Sequence, residues 1–218
     1  MAKKKEKKRR GPGRPSDPIK REDLLAIAGQ AFAKGGYSGT STAEIARRAK
    51  LSKASLFHHF PSKEGLYLEV VGNTAKAWLK LLQEAMGGDG NLLERQDRFN
   101  ALAIKYLGEN PEAAQLFLRD MIDSGPFMQS GGWEAVDAAL NMAATILKQG
   151  MKDGLLEERD PKQLVMSLVG MHLFYFAAAD IAKRFTKADN LFSKKMIKQR
   201  TDAMHDHVRF LTEKRKDS

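Results

Sequence analysis

Apolar residues recur at helical spacing along most of this chain, and the pattern predicts a series of α-helices. The first helix is expected to open after Asp17 and Pro18 and to end at Gly35 and Gly36. Its apolar face consists of residues one, three or four positions apart, namely Leu24, Leu25, Ala28, Ala31 and Phe32. No stretch shows a convincing alternation with a period of two, and no internal repeat is visible. The sequence therefore predicts an all-α fold.

Two short helices follow, over 40–50 and 53–60. Ser41 and Glu44 have the spacing of a capping box at the start of the second helix, and Ser52 can cap the third. We expect small residues to let these helices cross closely, and the set is Ala43, Ala46, Ala49 and Ala54. Longer helices are predicted beyond Pro61, over 62–86, 91–109, 111–123, 133–156, 161–185 and 190–215, with glycine, proline or asparagine at the junctions.

Composition narrows the classes of function. The 218 residues include no cysteine, which excludes disulfides and thiolate metal sites, and 42% apolar residues are enough for a sizeable core. The net charge is +10, and residues 1–16 contain eight basic residues against one acidic residue. A basic arm before a nearly balanced body indicates a phosphate backbone or an anionic membrane surface as the partner.

Other classes of protein fit the sequence poorly. The most apolar stretch, 164–182, contains His172 and Asp180 and is flanked by charge, so it is interpreted as a core helix and no membrane partner is expected. The basic amino terminus has no apolar segment of the kind that an export signal needs, so a cytoplasmic location is expected. No G-x-S-x-G, H-E-x-x-H or phosphate-loop motif is present, and we predict neither an enzyme nor a cofactor.

The segment 38–66 has the properties of a helix-turn-helix. Leu51, Leu56 and Phe60 can fill the corner between two short helices, which leaves a face of the third helix rich in hydrogen-bond donors. That face has the size of a B-DNA major groove, where base edges present acceptors. The stretch "GYSGTSTAEIARRAKLSKASLFHHFPSKEGL" resembles the DNA-binding domain of the tetracycline-repressor (TetR) family of transcriptional regulators.

The resemblance implies DNA contacts at individual positions. Thr42 and Ala43 stand where family members approach the operator, and Lys63 matches a lysine that binds a phosphate. The remaining expected contacts lie on the third helix, at Lys53, Ala54, Ser55, Phe57, His58 and His59. Phe57 replaces the family's usual tyrosine. Lys50 replaces a common glycine in a turn where left-handed backbone would cost a lysine roughly 1 kcal/mol.

The adjacent histidines raise the possibility of a metal site. Neighbouring helical residues point about 100° apart, so His58 and His59 do not face one ion as a pair four positions apart would. We predict no metal site here. His58 is expected to face the DNA groove, and His59 to pack at the base of the helix.

The stretch "RRGPGRP" at 9–15 resembles the core of an AT-hook. Arg14 could lie in a narrow A·T minor groove, because proline keeps the strand extended and glycine keeps it slim. The other interpretation is an unstructured polycation that adds affinity without reading sequence. The sequence leaves both open.

The carboxy-terminal part is expected to form a helical bundle. Helix 161–185 is apolar nearly all round and helix 190–215 is amphipathic. The resemblance implies that these helices pair with their mates in a homodimer, which would bind a near-palindromic operator. Candidate residues for a small-molecule site are large or polar groups on the middle helices, namely Trp78, Phe99, Phe117, Met121, Phe127, Trp133, His172, Phe174, Tyr175 and Asp180. Each of them could equally belong to the core.

These patterns divide the chain into a disordered basic arm (1–18), a three-helix helix-turn-helix DNA-binding domain (19–66) and a ligand-binding and dimerisation bundle (67–215). The leading hypothesis is a dimeric repressor that a small, largely apolar effector releases from DNA. The alternative is a DNA-binding activator or DNA-organising protein of the same family without a small-molecule effector.

Overall fold

The computed structural model describes residues 19–214, and every regular element in that range is helical. The helices are α1 (Arg21–Gly39), α2 (Thr42–Arg48), α3 (Lys53–His59), α4 (Lys63–Gly87), α5 (Leu92–Glu109), α6 (Pro111–Ile122), α7 (Trp133–Lys152), α8 (Pro161–Ala177), α9 (Ala179–Thr186) and α10 (Lys194–Thr212). A π-helical turn, Met128–Gly132, precedes α7. The predicted all-α fold, with an amino-terminal helix-turn-helix and a helical carboxy-terminal part, is confirmed.

Helices α1–α3 pack with the first turns of α4 around one apolar cluster. Its fully buried members include Leu24 and Phe32 of α1, Ile45 of α2, Leu56 of α3 and Tyr67 of α4. The same cluster extends into the bundle through four further buried residues, Leu116, Phe117, Met128 and Val136. The division at residues 66 and 67 lies inside α4 and stays a prediction.

The end of the first helix follows from two residues. Gly36 takes a left-handed φ of 69° inside α1, a conformation that residues with a Cβ rarely adopt. Thr40, buried just beyond, donates its hydroxyl hydrogen towards the carbonyls of Ala31 (3.1 Å) and Gly36 (2.8 Å). The helix therefore turns at the predicted glycine pair. Residues 17 and 18, where it was expected to open, lie outside the described residues.

The bundle surrounds two further apolar clusters. One joins α5, α6, α8 and α10 around Ile104, Leu107, Phe176 and Met204, and the other joins α7 and α8 around Leu147. Helix α6 packs against both α1 and α8. It therefore links the helix-turn-helix to the interior of the bundle.

The single helix predicted over 161–185 is wrong. The chain bends by 78° between α8 and α9, at Ala178. Glycine and proline are both missing from residues 171–185, around the bend, so no sequence signal marks the break. Packing decides it, because α8 buries Leu173 and Phe176 in the core whereas α9 has no buried residue. Within residues 19–214 no single helix is long and apolar enough to cross a membrane, and only the bent pair α8–α9 passes that test when joined.

Other predicted boundaries also shift. Helix α7 ends at Lys152 rather than 156, because Gly154 turns left-handed with φ 70°. The segment that follows is held to the end of α10 by the hydrogen bond from the Glu157 N–H to the Thr212 carbonyl (2.9 Å). Helix α10 begins at Lys194 rather than 190, where the Ser193 hydroxyl accepts from the Met196 N–H (3.3 Å).

The capping box predicted at Ser41 is half formed. The Ser41 hydroxyl accepts from the Glu44 N–H at 3.1 Å, but the Glu44 carboxylate pairs instead with Arg48, four residues on, at 2.5 Å. The reciprocal arrangement occurs at the start of α5, where Asn91 and Glu94 each accept from the other's backbone.

Candidate nucleic-acid interface and ligand cavity

Helix α3 has an anchored inner face and an exposed outer face. Leu56 and, just beyond the helix, Phe60 are buried in the first apolar cluster. The Ser52 hydroxyl caps the helix by accepting from the Ser55 N–H at 3.0 Å, as the sequence predicts. The residues exposed to solvent are Lys53, Ala54, Ser55 and His58. This face presents ammonium, hydroxyl and imidazole groups on a rigid support.

Phe57 and His59 are half-buried at the edges of that face. The Lys53 Nζ lies 5.6 Å from the centre of the Phe57 ring, a cation–π distance, and the rings of His58 and His59 are 6.0 Å apart. Among residues 19–214 no group of three or more histidine, cysteine or acidic side chains could bind a metal ion.

Helix α2 brings two further predicted contact residues to the same region. Thr42 is half-buried and Ala43 is exposed at its first turn. Ala46 and Ala49 are buried between the helices as expected. Ala43 and Ala54 do not serve as helix-crossing residues, since both lie on the outer surface.

Arg21, which sequence reasoning missed, anchors the end of α3. Its guanidinium donates to the His59 carbonyl (3.0 Å) and to the Glu69 carboxylate (Nε to Oε1, 3.0 Å), and lies 4.1 Å from the centre of the Phe60 ring. It therefore joins α1, α3 and α4 at one point. No local pattern could have revealed this, because its partners are 38 and 48 positions away in sequence.

Lys63 opens α4 next to an aromatic group. Its Nζ lies 4.4 Å from the centre of the Tyr37 ring, and Tyr37 in turn meets the Tyr67 ring edge-on at 5.0 Å. The Ser62 hydroxyl caps the helix by accepting from the Gly65 N–H at 2.9 Å. A lysine held over a ring at a helix amino terminus is well placed for an anion.

The turn between α2 and α3 contains the strained residue that the sequence predicts. Lys50 has φ 55°, in the left-handed region. The Leu51 N–H that follows donates to the Ala46 carbonyl at 2.8 Å, which fixes the turn. Ala49 before it is buried, and Leu51 after it packs half-buried against the first apolar cluster, so the turn is anchored on both sides. Arg14 and the rest of the basic arm lie outside the described residues.

A cavity of about 230 Å³ lies inside the bundle. Its wall is formed by α4–α8 and contains no acidic or basic residue apart from one histidine. The lining residues are Ala75, Trp78, Leu79, Leu82, Met86, Leu92, Gln96, Phe99, Asn100, Phe117, Met121, Ala135, Val136, Ala139, Leu140, Ala143, Ile146, Leu147, Val165, Met166, Leu168, Val169, His172 and Leu173.

Five of the eight principal candidates for a ligand site line this cavity, namely Trp78, Phe99, Phe117, Met121 and His172. The other three lie elsewhere. Phe127 packs in the first apolar cluster beside Phe117, Trp133 is 46% exposed at the start of α7, and Tyr175 stacks with Arg200 at 4.6 Å. Phe174 and Asp180 are exposed at the surface.

His172 is a nearly fully buried polar group of the wall, at 2% exposure, and Asn100 is buried to a similar degree. Its Nδ1 lies 2.8 Å from the Leu168 carbonyl and therefore donates to it, which leaves Nε2 as an acceptor. Burial lowers the pKa of His172 from 6.5 to about 4, and the charge of Arg200 acts in the same direction. The imidazole is thus neutral near pH 7. Nε2 has no hydrogen-bond partner among the described residues.

Helix α6 has residues at both the cavity and the helix-turn-helix. Phe117 and Met121 line the cavity, whereas the neighbouring Arg119 donates to the Ala33 carbonyl of α1 at 3.3 Å. Asp120, 1% exposed, accepts from the Met128 N–H at 3.0 Å. Burial and a hydrogen bond to Asp120 raise the pKa of Tyr67 on α4. One helix therefore touches the cavity, α1 and α4.

Comparison with known proteins shows which regulators this chain resembles. Residues 24–70 match the family described as bacterial regulatory proteins, tetR family. The regulator RutR of Escherichia coli is 28% identical over 149 residues, which cover 68% of this chain and 70% of that protein. A tetR-family protein from Shewanella superposes with a TM-score of 0.63 at 25% identity and covers 91% of this chain and all of its own. Residues 24–70 thus match the TetR family itself, and the chain as a whole is similar to TetR-family regulators.

Proteins with lower sequence identity share the fold. AibR, a protein solved with isovaleryl coenzyme A and operator DNA, has a TM-score of 0.65 at 19% identity and covers 87% of this chain and 96% of its own. The family match covers α2, α3 and the turn between them, and it reaches into α1 and α4. The contact roles of the residues on α2 and α3, and of the residues around the cavity, stay predictions.

Proposed function

We propose that the chain is a dimeric transcriptional repressor that binds operator DNA through α3 and releases it when a small molecule enters the bundle cavity. The observation that carries the proposal is the outer face of α3, which is exposed, rich in donors and fixed by buried residues beneath it. Enzymatic activity has no support in the site, and a role as a bacterial regulatory protein accords with the family.

The DNA contacts follow from the chemistry of the exposed groups. Lys53 and Ser55 lie in the first turn of α3 and can donate to guanine and adenine acceptors in the major groove. Thr42, Ala43 and Lys63 flank that turn, where sugar and phosphate lie. Contacts of this second kind position the protein without selecting a sequence.

Binding of labelled duplexes from the region upstream of the protein's own gene, followed by fluorescence anisotropy, tests this proposal. Lys53→Ala should weaken binding about 10- to 100-fold. Lys80→Ala removes the same charge from an exposed site on α4, seventeen residues beyond Lys63 and therefore about 25 Å along the helix, and should change affinity little. Equal losses in the two variants would mean that only overall charge matters, and would contradict base reading by α3.

The basic arm should add affinity through phosphates or the minor groove. Removal of residues 1–16 should weaken binding and flatten the slope of log K against log salt, because fewer counterions are released. A larger loss on A·T-rich duplexes than on G·C-rich duplexes would favour the AT-hook interpretation for Arg14, and an equal loss the polycation. An unchanged slope would contradict any DNA contact by the arm.

The partner in the dimer should be a second copy that covers α8, α9 and α10. Apolar side chains of α8 and α9 are exposed in the isolated chain, with Phe174 at 65%, Ile181 at 65% and Phe185 at 87%. A soluble protein seldom leaves such a patch uncovered. Light scattering after gel filtration should give twice the chain mass. Phe174→Glu with Phe185→Glu should yield a monomer, and a monomeric wild type would contradict the proposal.

Ligand response should travel through α4 and α6. Both helices touch the cavity, through Trp78 on α4 and Phe117 on α6, and both pack in the helix-turn-helix cluster. A ligand can shift the DNA-bound population only by its preference for one arrangement over the other. The open cavity favours this reading over a regulator without an effector. Release of DNA by an extract of cellular metabolites would support it, and indifference to all of them would favour the alternative.

A further inference from the structure

We infer that the cavity selects an uncharged, mostly hydrocarbon molecule of about ten non-hydrogen atoms that carries one hydrogen-bonding group. This inference rests on the proposed function for its regulatory meaning, but its binding chemistry can be tested without DNA. It follows from three features of the wall: its lack of charge, its size, and three buried nitrogens of its polar side chains that lack a hydrogen-bond partner among the described residues.

The wall offers no counter-charge to an ionised ligand. Of its lining residues only Trp78, Gln96, Asn100 and His172 have polar side chains, and none is ionised near pH 7 because burial keeps His172 neutral. Transfer of an unpaired carboxylate or ammonium into such surroundings is strongly unfavourable. A fatty acid anion or an amine should therefore bind far more weakly than an alcohol with the same chain.

The volume of the cavity indicates the size of the ligand that fills it, and the wall opens to solvent at Ala135 and Met166. An apolar cavity of about 150 Å³ is known to accept benzene. In proportion, about 230 Å³ accommodates roughly nine non-hydrogen atoms, or a few more if side chains move. Ala135, Ala139 and Ala143 leave this space on the side of α7. A large aromatic residue at one of these positions would fill it.

The hydrogen-bonding group should meet Trp78, Asn100 and His172. The Trp78 and His172 rings lie 6.0 Å apart and nearly perpendicular, and Phe99 lies 5.7 Å from His172. The Trp78 Nε1, Asn100 Nδ2 and His172 Nε2 are buried, and within the described part of the chain none has a hydrogen-bond partner. Two of these atoms are donors and one is an acceptor. A hydroxyl group, which both donates and accepts, complements them once these side chains shift, because neighbouring atoms enclose all three nitrogens while the cavity is empty.

Direct binding to the full chain tests the inference. The protein has two tryptophans, so Trp133→Phe leaves Trp78 as a single reporter at the cavity wall. Straight-chain alcohols from 1-butanol to 1-decanol should bind about three- to four-fold more tightly per methylene until the cavity is full. The matched carboxylates and amines at pH 7 should bind at least about 100-fold more weakly. Carboxylates or amines that bind as tightly as the alcohols would overturn the inference.

Two variants distinguish binding in the cavity from non-specific hydrophobic binding elsewhere on the protein. Ala143→Trp fills the space and should abolish alcohol binding, whereas persistence of binding would place the alcohols elsewhere and overturn the inference. His172→Leu should weaken 1-octanol about five-fold but leave 1-chlorooctane, a chain of similar size that lacks a hydroxyl, nearly unchanged. Equal effects on the two ligands would contradict the role given to the polar corner. Circular dichroism shows whether either variant has failed to fold. The ratio of alcohol affinity to carboxylate affinity, measured in Trp133→Phe alone, tests the charge selectivity without these variants.

DNA release distinguishes this inference from the proposed function. If alcohols bind at the cavity without changing the affinity for DNA, the ligand class stands and the ligand-responsive function fails. If a charged ligand displaces the protein from DNA through the cavity, the function stands and the ligand class fails.

Discussion

His172→Phe should flatten the dependence of stability on pH, and the size of the effect follows from the burial of one imidazole. The folded protein lowers the pKa of His172 from 6.5 to about 4, mainly because the ring is buried. The unfolded chain therefore binds a proton between pH 6.5 and 4 that the folded chain does not. Stability from this group is complete above pH 6.5 and falls as the pH drops towards 4.

The magnitude comes from the same two pKa values. Each pH unit in this window lowers the free energy of unfolding by about 1.4 kcal/mol, so the wild type should lose about 2 kcal/mol through His172 between pH 7 and pH 5. A phenylalanine cannot titrate and fits beside Trp78 and Phe99. The comparison uses the change in the free energy of unfolding between the two pH values, so a different stability of the variant at pH 7 does not affect it. The difference between pH 7 and pH 5 should be about 2 kcal/mol smaller in the variant.

Urea unfolding followed by circular dichroism measures this difference. Protein concentration should be held constant, because the stability of a dimer depends on it. If His172→Phe and the wild type lose the same stability from pH 7 to pH 5, the folded imidazole is not held neutral by burial and the reasoning fails.

Three further changes test other parts of the structure. Lys50→Gly should raise the free energy of unfolding by about 1 kcal/mol, because it relieves a left-handed φ of 55°. A lower free energy of unfolding in urea would show that the turn is not strained. Asp120→Ala should lower the free energy by about 3 kcal/mol, since it leaves the buried Met128 N–H and Tyr67 hydroxyl without their acceptor, and Asp120→Asn should lower it less; equal thermal unfolding of both variants would count against that account. Phe57→Tyr should tighten DNA binding several-fold in anisotropy, because it restores a hydroxyl able to reach a phosphate, and an unchanged affinity would place Phe57 away from the backbone.

The helix-turn-helix could be predicted because its signals are local. Gly36, the serine caps of α2 and α3, and the small Ala46 all act on residues within one or two turns of themselves. The left-handed Lys50 was indicated by the resemblance, because TetR-family members commonly have a glycine at this position of the turn. Local signals of this kind are sufficient where short helices meet through short turns.

The bundle was less predictable because tertiary packing decides it. The bend at Ala178 carries no glycine or proline, and it is set by burial of α8 beside α9, which remains outside. The cavity depends on Ala135, Ala139 and Ala143, small residues whose spacing reads equally well as ordinary core. Large aromatic residues did indicate three cavity positions, Trp78, Phe99 and Phe117. The exposed Trp133 shows that size alone does not place a side chain at the cavity.

Footprinting of the upstream region with the purified full chain tests the central claim most directly. A dimer that binds through α3 should protect two half-sites in one near-palindrome, with centres about 34–36 Å, or roughly one DNA turn, apart. Lys53→Ala should lose both half-sites together, and Lys80→Ala should keep them. Uniform protection of every duplex, or no protection at any protein concentration, would contradict a DNA reader built on α3.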